Sequence, residues 1–209
     1  VVSTEDPATA TIARYYGARP ILCPLEIAHR DDTPDLQWVR HALNSLGDSH
    51  LPYDYFAILR PTSPFRRGTW VQRAWGYFIN AQPADSLRAM RPVTEHPAKM
   101  WHRPDDRRDG WVVPVMPASV QLPALWKSGA PWHSSPTQGL PLVWVQTGAL
   151  EIAWASLPLR GDGIAGERII PWVAPFDAPE AVKAADLDIN TEEDWQRAEY
   201  IMSKRQVSI

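Results

Sequence analysis

The residues best suited to chemistry lie in one turn, Arg60-Pro61-Thr62-Ser63-Pro64-Phe65-Arg66, placed directly after an apolar run. Pro61 and Pro64 stiffen it, because each proline fixes its own φ and restricts the residue before it. Thr62 and Ser63 bring hydroxyls and backbone donors. Arg60 and Arg66 bring planar guanidinium forks, whose geometry suits phosphate or carboxylate. On residue types alone, a ligand-holding turn and a stiff turn with solvated arginines fit equally well. Asp188, with Asn190 two positions on, is a further oxygen donor; read alone, the pair is a helix entry, where acids favour the helix dipole. Lys99 can meet an anion as a point charge, although a solvated loop position is the ordinary fate of lysine. An imidazole such as that of His96 suits acid–base work, but standing before Pro97 it reads as the residue that fixes that turn.

These residues need elements to hold them. Val1-Val2 reads as the end of a buried strand, and Asp6-Pro7 as a cap and first helical residue, with Ile12 and Tyr16 on one face and Gly17 as the stop. Thr33-Pro34 opens a second helix with Leu36, Val39, Leu43 and Leu46 at spacings of three and four, ended by Gly47. Tyr53 to Leu59 is the nearly continuous apolar run of a strand covered on both faces, as in a parallel sheet. Val71, Ala74, Trp75, Phe78 and Ile79 make another amphipathic helix, and Ser86 to Val93 a strand. From His96 to about Gln138, Pro, Trp and charge dominate, with one strand-like piece, Trp111 to Val115; this is read as an inserted sub-lobe, residues 96–140. Leu142 to Gln146 returns to strand pattern, Thr147-Gly148 punctuates it, and Ala149 to Ala155 is apolar again. Ile169 to Val173 is a late strand. Thr191 to Asp194 begins a last helix as a variant capping box, with Trp195, Ala198, Ile201 and Met202 as its buried face. Strands alternating with helices predict an α/β fold in a single domain over residues 1–209.

Composition excludes several classes. The chain has 209 residues, 44% of them hydrophobic and 22% charged, which is ordinary for a globular domain. A net charge of −3 argues against a broad basic face for nucleic acid. No apolar run reaches the length of a membrane span. Cys23 is the single cysteine, so no internal disulfide forms, and it reads as a small buried apolar side chain. Eleven tryptophans are unusual; Trp101, Trp111, Trp126 and Trp132 share the Pro-rich stretch, which fits core packing or an oligomer interface.

At this point several segments, in order, resemble the acylneuraminate (CMP-sialic acid synthetase-like) cytidylyltransferase family. Ile58 to Arg66 is similar to its Leu-x-Pro-Thr-Ser-Pro-Leu-Arg signature. Val2 to Asp6 resembles its Val-Ser-Thr-Asp-Asp strand end, and Arg14 to Ala18 its Lys-Tyr-Gly-Ala helix end. Asp31 to Pro34 with His41-Ala42-Leu43 resembles its next loop and helix. His96 to Trp101 is similar to its His-Pro-x-Lys-Met segment, Thr147-Gly148-Ala149 to its Asn-Gly-Ala turn, and Asp188 to Thr191 to its Asp-Ile-Asp-Thr.

The resemblance implies a Rossmann-like nucleotidyltransferase (nucleotide-diphospho-sugar transferase) fold: a mainly parallel sheet flanked by helices, with the inserted sub-lobe serving dimerisation. It implies a cytoplasmic homodimer that joins CTP to an acidic, sialic-acid-like 2-keto sugar, giving a CMP-sugar and pyrophosphate for glycan, capsule, lipopolysaccharide or flagellin modification. The alternative is a non-catalytic sugar- or nucleotide-binding remnant. By the resemblance Asp188 and Arg66 are catalytic, Asp188 and Asn190 hold Mg²⁺, and Arg60, Thr62, Ser63, Lys99, Gln138, Thr147 and Gly148 bind substrate. Four positions depart from the family: Asn190 replaces a carboxylate, Thr137 an arginine, Thr147 an asparagine, and Arg60 a frequent glutamine. The family's opening strand and Gly-rich basic loop, which hold the nucleotide phosphates, are not expected within this chain, no Gly-x-Gly-x-x-Gly or Walker-type string is expected anywhere in it, and the domain is read as N-terminally incomplete.

Overall fold

A computed structural model describes residues 1–28, 33–47, 53–103, 111–116, 131–173 and 187–206, with side chains to 204. The chain divides into two compact units: Val1–Ala89 with Thr147–Ile209, and Met90–Gln146.

In the first unit, β1 (Val2–Thr4) pairs in parallel with β2 (Pro20–Leu22). Between them runs α1 (Pro7–Tyr15), capped by the Asp6 carboxylate, which accepts from the Ala8 and Thr9 amides. The cap is as expected, but the buried face is not. Ala10 and Ala13 are buried, while Ile12 and Tyr16 are exposed. Small side chains let the helix lie close to its neighbours, a choice that a search for large apolar residues passes over. Next come α2 (Leu25–Ala28) and α3 (Asp35–Leu46); the latter has Pro34, not Thr33, at its cap position.

The main sheet contains β3 (Tyr55–Ile58), β4 (Ser86–Pro92), β7 (Trp144–Trp154) and β8 (Ile169–Trp172), in the order β3-β7-β4-β8. It is mixed. β3 pairs antiparallel with β7, and β4 pairs parallel with β8. A continuous apolar run reports that both faces are covered, not the direction of the partner, and β3 is covered on both. Tyr55 packs with Ala74 and Phe78 of α4 (Gly68–Asn80), together with Leu87, Leu150 and Ile152. Phe56 and Ile58 pack with Val39 and Leu43 of α3 and with Ala155. Alternate side chains of one strand thus reach two separate clusters, as strand geometry requires. Phe78 is wholly buried, a burial that stabilises by roughly 1.5–3 kcal/mol.

After β7 come α5 (Ser156–Arg160) and, beyond β8, α6 (Glu192–Gln206). The capping box of α6 forms reciprocally. Asp194 accepts from the Thr191 amide at 2.9 Å, and Thr191 Oγ1 accepts from the Asp194 amide at 3.2 Å. Its inner face is Ala198 and Ile201, packed with Phe65, Leu187 and Ile189. Trp195 and Met202, expected inside, are exposed; the covered face is narrower than the apolar stripe in the sequence. Cys23 is buried, and burial pushes its thiol pKa up.

In the second unit β5 (Trp101–His102) pairs antiparallel with β6 (Val113–Pro114), a shorter piece than the Trp111–Val115 strand expected. His96 caps the 3-10 turn Pro97–Lys99: Nδ1 accepts from the Ala98 amide at 3.0 Å, and Nε2 lies 3.0 Å from the Pro141 carbonyl oxygen. That arrangement fits a neutral ring donating from Nε2, and matches a turn-fixing role. Trp132 is buried and Trp111 exposed; Trp126 lies outside the described residues. The expected break at Thr147-Gly148 is absent, since β7 runs unbroken through both residues. Glycine without a positive φ is compatible with a strand and marks close approach as often as a turn.

Candidate functional site

The turn at the carboxyl end of β3 is fastened from three sides. Within it, the Ser63 amide donates to the Arg60 carbonyl at 3.2 Å. The Thr62 carbonyl accepts from the Ile189 amide at 2.9 Å, which ties the turn to the segment carrying Asp188. Phe65 is buried against Leu187 and Ala198 of the last helix region. Arg66 adds a clamp: Nε donates to the Ala149 carbonyl in β7, and Nη2 to the Arg60 carbonyl at 2.6 Å. Burial lowers the pKa of its guanidinium. Its fork is therefore spent on backbone, and Arg66 acts as the strut of the turn.

Three of the expected residues converge. A Cβ placed on Gly148 would stand 3.2 Å from Arg60 Cδ and 3.5 and 3.6 Å from the two carboxylate oxygens of Asp188. Glycine at 148 is what admits both side chains to one place. Asp188 Oδ1 is shielded from solvent and has no hydrogen-bond partner among the described residues. A buried, unsatisfied carboxylate oxygen is costly unless something completes it. Thr62 and Thr147 are half-buried beside this point in sequence, and Ser63 is buried. Asn190 is exposed; its amide donates to Asp194 as part of the α6 cap, and its Nδ2 lies 3.5 Å from the Asp188 carbonyl oxygen.

Lys99 and Gln138 belong to the second unit. Lys99 Nζ donates to the carbonyls of His133 and Ser135, at 2.8 and 2.6 Å. Gln138 is exposed in the 3-10 turn Thr137–Gly139.

Residue types at Arg60 gave no hint of its partners. Its Nη2 donates to Glu151 Oε1 at 3.1 Å and also to Asp35 Oδ2 at the first turn of α3. Glu151 in turn forms an ion pair with Arg88 through Oε2. Burial lowers the pKa of Arg88, with nearby Asp35 acting the other way. Asp35, Arg88 and Glu151 were all missed. For Arg88 and Glu151 the signal was there: each stands among apolar residues of the strands Ser86–Val93 and Ala149–Ala155, and buried charges are paired.

The expectation that the chain holds no Gly-x-Gly-x-x-Gly string is wrong. Gly161-Asp162-Gly163-Ile164-Ala165-Gly166 spells Gly-x-Gly-x-x-Gly. A phosphate loop of that spelling follows a strand and opens a helix. Here it does the reverse, closing α5 with Gly161 at φ 91° and leading to β8. The glycines serve turns: Gly166, at φ 68°, faces Asp85, whose carboxylate accepts from the Glu167 and Arg168 amides. An apolar groove of about 350 Å³ lies along β3, lined by Tyr53, Tyr55, Trp75 and Ile152 among others; it lacks the convergent polar groups of a nucleotide site.

No family model matches this sequence. An N-acylneuraminate cytidylyltransferase from Escherichia coli O18:K1:H7 (strain RS218 / NMEC) is 38% identical over 74 residues, which is 35% of this chain and 16% of that protein. The match therefore spans about a sixth of the relative's length. The structure of a CMP:2-keto-3-deoxy-manno-octonic acid synthetase complexed with CTP superposes over 98% of this chain and 80% of its own, with a TM-score of 0.55 at 12% identity. The chain is similar to the cytidylyltransferases and has a Rossmann-like nucleotidyltransferase fold. Molybdopterin-guanine dinucleotide biosynthesis protein A from Archaeoglobus fulgidus superposes with a TM-score of 0.46 at 15% identity, over 97% of this chain and 77% of that one. Within the nucleotidyltransferase fold, the turn after β3 lies beyond a strand's carboxyl end, where α/β sheets bind ligands. Among the described residues, no helix is long and apolar enough to cross a membrane.

Proposed function

We propose that this chain carries the sugar-facing side of a cytidylyltransferase, which joins CMP from CTP to an acidic 2-keto sugar and releases pyrophosphate. The observation that carries the proposal is the meeting of Arg60, Gly148 and the unpartnered Asp188 oxygen. In such a transfer the sugar's anomeric oxygen bonds to the α-phosphorus of CTP, while the bond to the β-phosphate breaks. Positioning and charge neutralisation supply most of the catalysis. Thr62 and Ser63 present the rigid turn, Arg66 holds its shape, and Arg60 puts positive charge beside the cradle for the sugar's carboxylate. Lys99, Gln138 and Thr147 are proposed as further substrate contacts.

The Asp188 oxygen tests whether Mg²⁺ suits this site. Among the described residues no three His, Cys, Asp or Glu side chains cluster to hold a metal. Mg²⁺ asks less than that: one or two carboxylates, with waters and substrate phosphates completing its shell. Asp188 fits this requirement, with Asn190 as the proposed neutral second donor. When bound, the ion would neutralise the phosphates of the nucleotide. We also propose a homodimer formed through the second unit, where Trp101, Trp111, Leu142 and Val145 are exposed.

The test is pyrophosphate release with CTP, Mg²⁺ and a panel of 2-keto acid sugars, for the wild type and Asp188→Asn. The proposal expects release that depends on CTP and is lost in the variant with folding unchanged. Equal release from the variant refutes the role of Asp188. A second reading has its own support: both arginine forks of the turn are satisfied inside the chain. It describes a non-catalytic binding remnant, and saturable sugar or nucleotide binding without any release would establish it.

A further inference from the structure

Arg60 stands in a row of alternating charges, Asp35–Arg60–Glu151–Arg88, that runs from the surface into the sheet. The side chains of Asp35 and Arg60 are about a third exposed, at 32% and 31%, and those of Glu151 and Arg88 almost wholly buried, at 3% and 6%. We propose that Glu151, held by Arg88, is the positioning residue that aims Arg60 at the Gly148–Asp188 cradle. Asp35 is the exchangeable partner that competes with an incoming carboxylate for Arg60. The inference rests on the sugar-facing reading of Arg60 given above.

Energetics separate the two acids. A partly exposed pair such as Arg60–Asp35 contributes little and is readily exchanged. Glu151 is almost wholly buried, so losing Arg60 would leave its Oε1 without a partner, which costs more than losing a partly exposed one. Glu151 therefore keeps Arg60 in place while Asp35 can let go. Stability alone does not explain the inner pair, since well-packed apolar residues commonly replace buried ion pairs without loss. What it supplies is direction. Arg88 on β4 neutralises Glu151, so Glu151 can accept from Arg60 without cancelling the charge that Arg60 shows to a ligand. Asp35 is itself oriented by Trp38, whose Nε1 donates to Oδ1 at 3.0 Å. When a substrate carboxylate takes its place on Arg60, Asp35 keeps that partner and faces water.

The experiment is a double-mutant cycle on the protein with N-acetylneuraminic acid and 3-deoxy-manno-octulosonic acid as probe sugars. Glu151→Gln keeps the volume and the hydrogen-bonding capacity and removes the charge. It should raise the KM for the sugar on the order of tenfold, the weight of one charge-assisted hydrogen bond, with the KM for CTP and kcat little changed. Asp35→Asn should lower the sugar KM, because the competing charge is gone; an unchanged or raised KM overturns the exchange. Combined with Arg60→Ala, Glu151→Gln should add nothing further. If Arg60→Ala alone leaves the sugar KM unchanged, the sugar-facing reading of Arg60 fails. If Arg60→Ala raises it but Glu151→Gln does not, or the two effects add independently, the positioning role is overturned. Should neither sugar turn over, the guanidinium NMR signals of Arg60 decide. Resolved in the wild type and averaged in Glu151→Gln, they support the proposal; unchanged by the substitution, they overturn it.

Discussion

Replacing Gly148 with alanine separates site from scaffold by adding one methyl group. The new Cβ would lie 3.2 Å from Arg60 Cδ, closer than an ordinary carbon contact, and 3.5 and 3.6 Å from the Asp188 oxygens, at ordinary van der Waals distance. Arg60 must give by a few tenths of an ångström, and its long side chain can do so. The backbone at 148 is not in the left-handed region, so alanine is not strained there. It should gain roughly 0.5–1 kcal/mol from the lower unfolded-state entropy of a non-glycine strand residue. Mild overpacking costs about as much. Stability should thus change by no more than about 1 kcal/mol, the sum of two small opposed terms. Function should not be spared, because the methyl group fills the space between Arg60 and the unpartnered Asp188 oxygen. A displacement of that order at a reacting centre costs on the order of 10- to 100-fold in rate. Pyrophosphate release measured beside thermal unfolding reads both quantities. A variant with a normal melting curve and full turnover would refute the placement of the site at Gly148. So would one that loses activity only in proportion to lost folding.

Other outcomes follow from the same contacts. Gly166→Ala should destabilise by about 2 kcal/mol or more, from a side chain forced into the left-handed region and an overpacked contact; its Cβ would meet Asp85 Cβ at 2.5 Å, and urea unfolding measures the loss. Stability should fall in acid through Asp85 and Asp194. Hydrogen bonds hold both carboxyls below their ordinary 3.8, those of Arg168 foremost for Asp85 and that of Thr191 for Asp194. A depressed folded-state pKa means stability present above the unfolded value and lost as pH drops through the folded one, so Asp85→Asn should flatten the pH dependence of the melting temperature below about pH 4, the range in which free aspartate titrates. Trp111→Ser with Leu142→Ser should shift a dimer towards monomer by light scattering without lowering the melting point of the monomer; an unchanged dimer would place the interface elsewhere.

The helices and strands were largely legible because their signals are local. Asp6-Pro7, the spacing of Val39 and Leu43, and the Thr191 box each need only a few neighbouring residues. What escaped was decided at a distance. Antiparallel pairing of β3 depends on β7, far along the chain, and no apolar run encodes direction. Trp195 and Met202 carry a helical stripe, but Phe65 and Leu187 cover only Ala198 and Ile201 of it. At the site, Arg60, Gly148 and Asp188 were each named from sequence, whereas the reason Gly148 is glycine appears only when the other two are seen beside it. Glu151 and Arg88 were readable in principle as charges set among apolar strand residues; the link of Arg60 to Glu151, and through it to Arg88, was not.

The fastening of the Arg60–Arg66 turn also bears on when the protein becomes competent. Its local hydrogen bond forms early in synthesis, but its other anchors, Ala149, Leu187, Ile189 and Ala198, are made much later. Contacts so distant in sequence close slowly and late. A nascent or proteolysed chain that ends before α6 would hold every residue of the turn and still lack the surface that shapes it. The turn and α6 are thereby one cooperative unit, so a cut that releases α6 should loosen the turn as well.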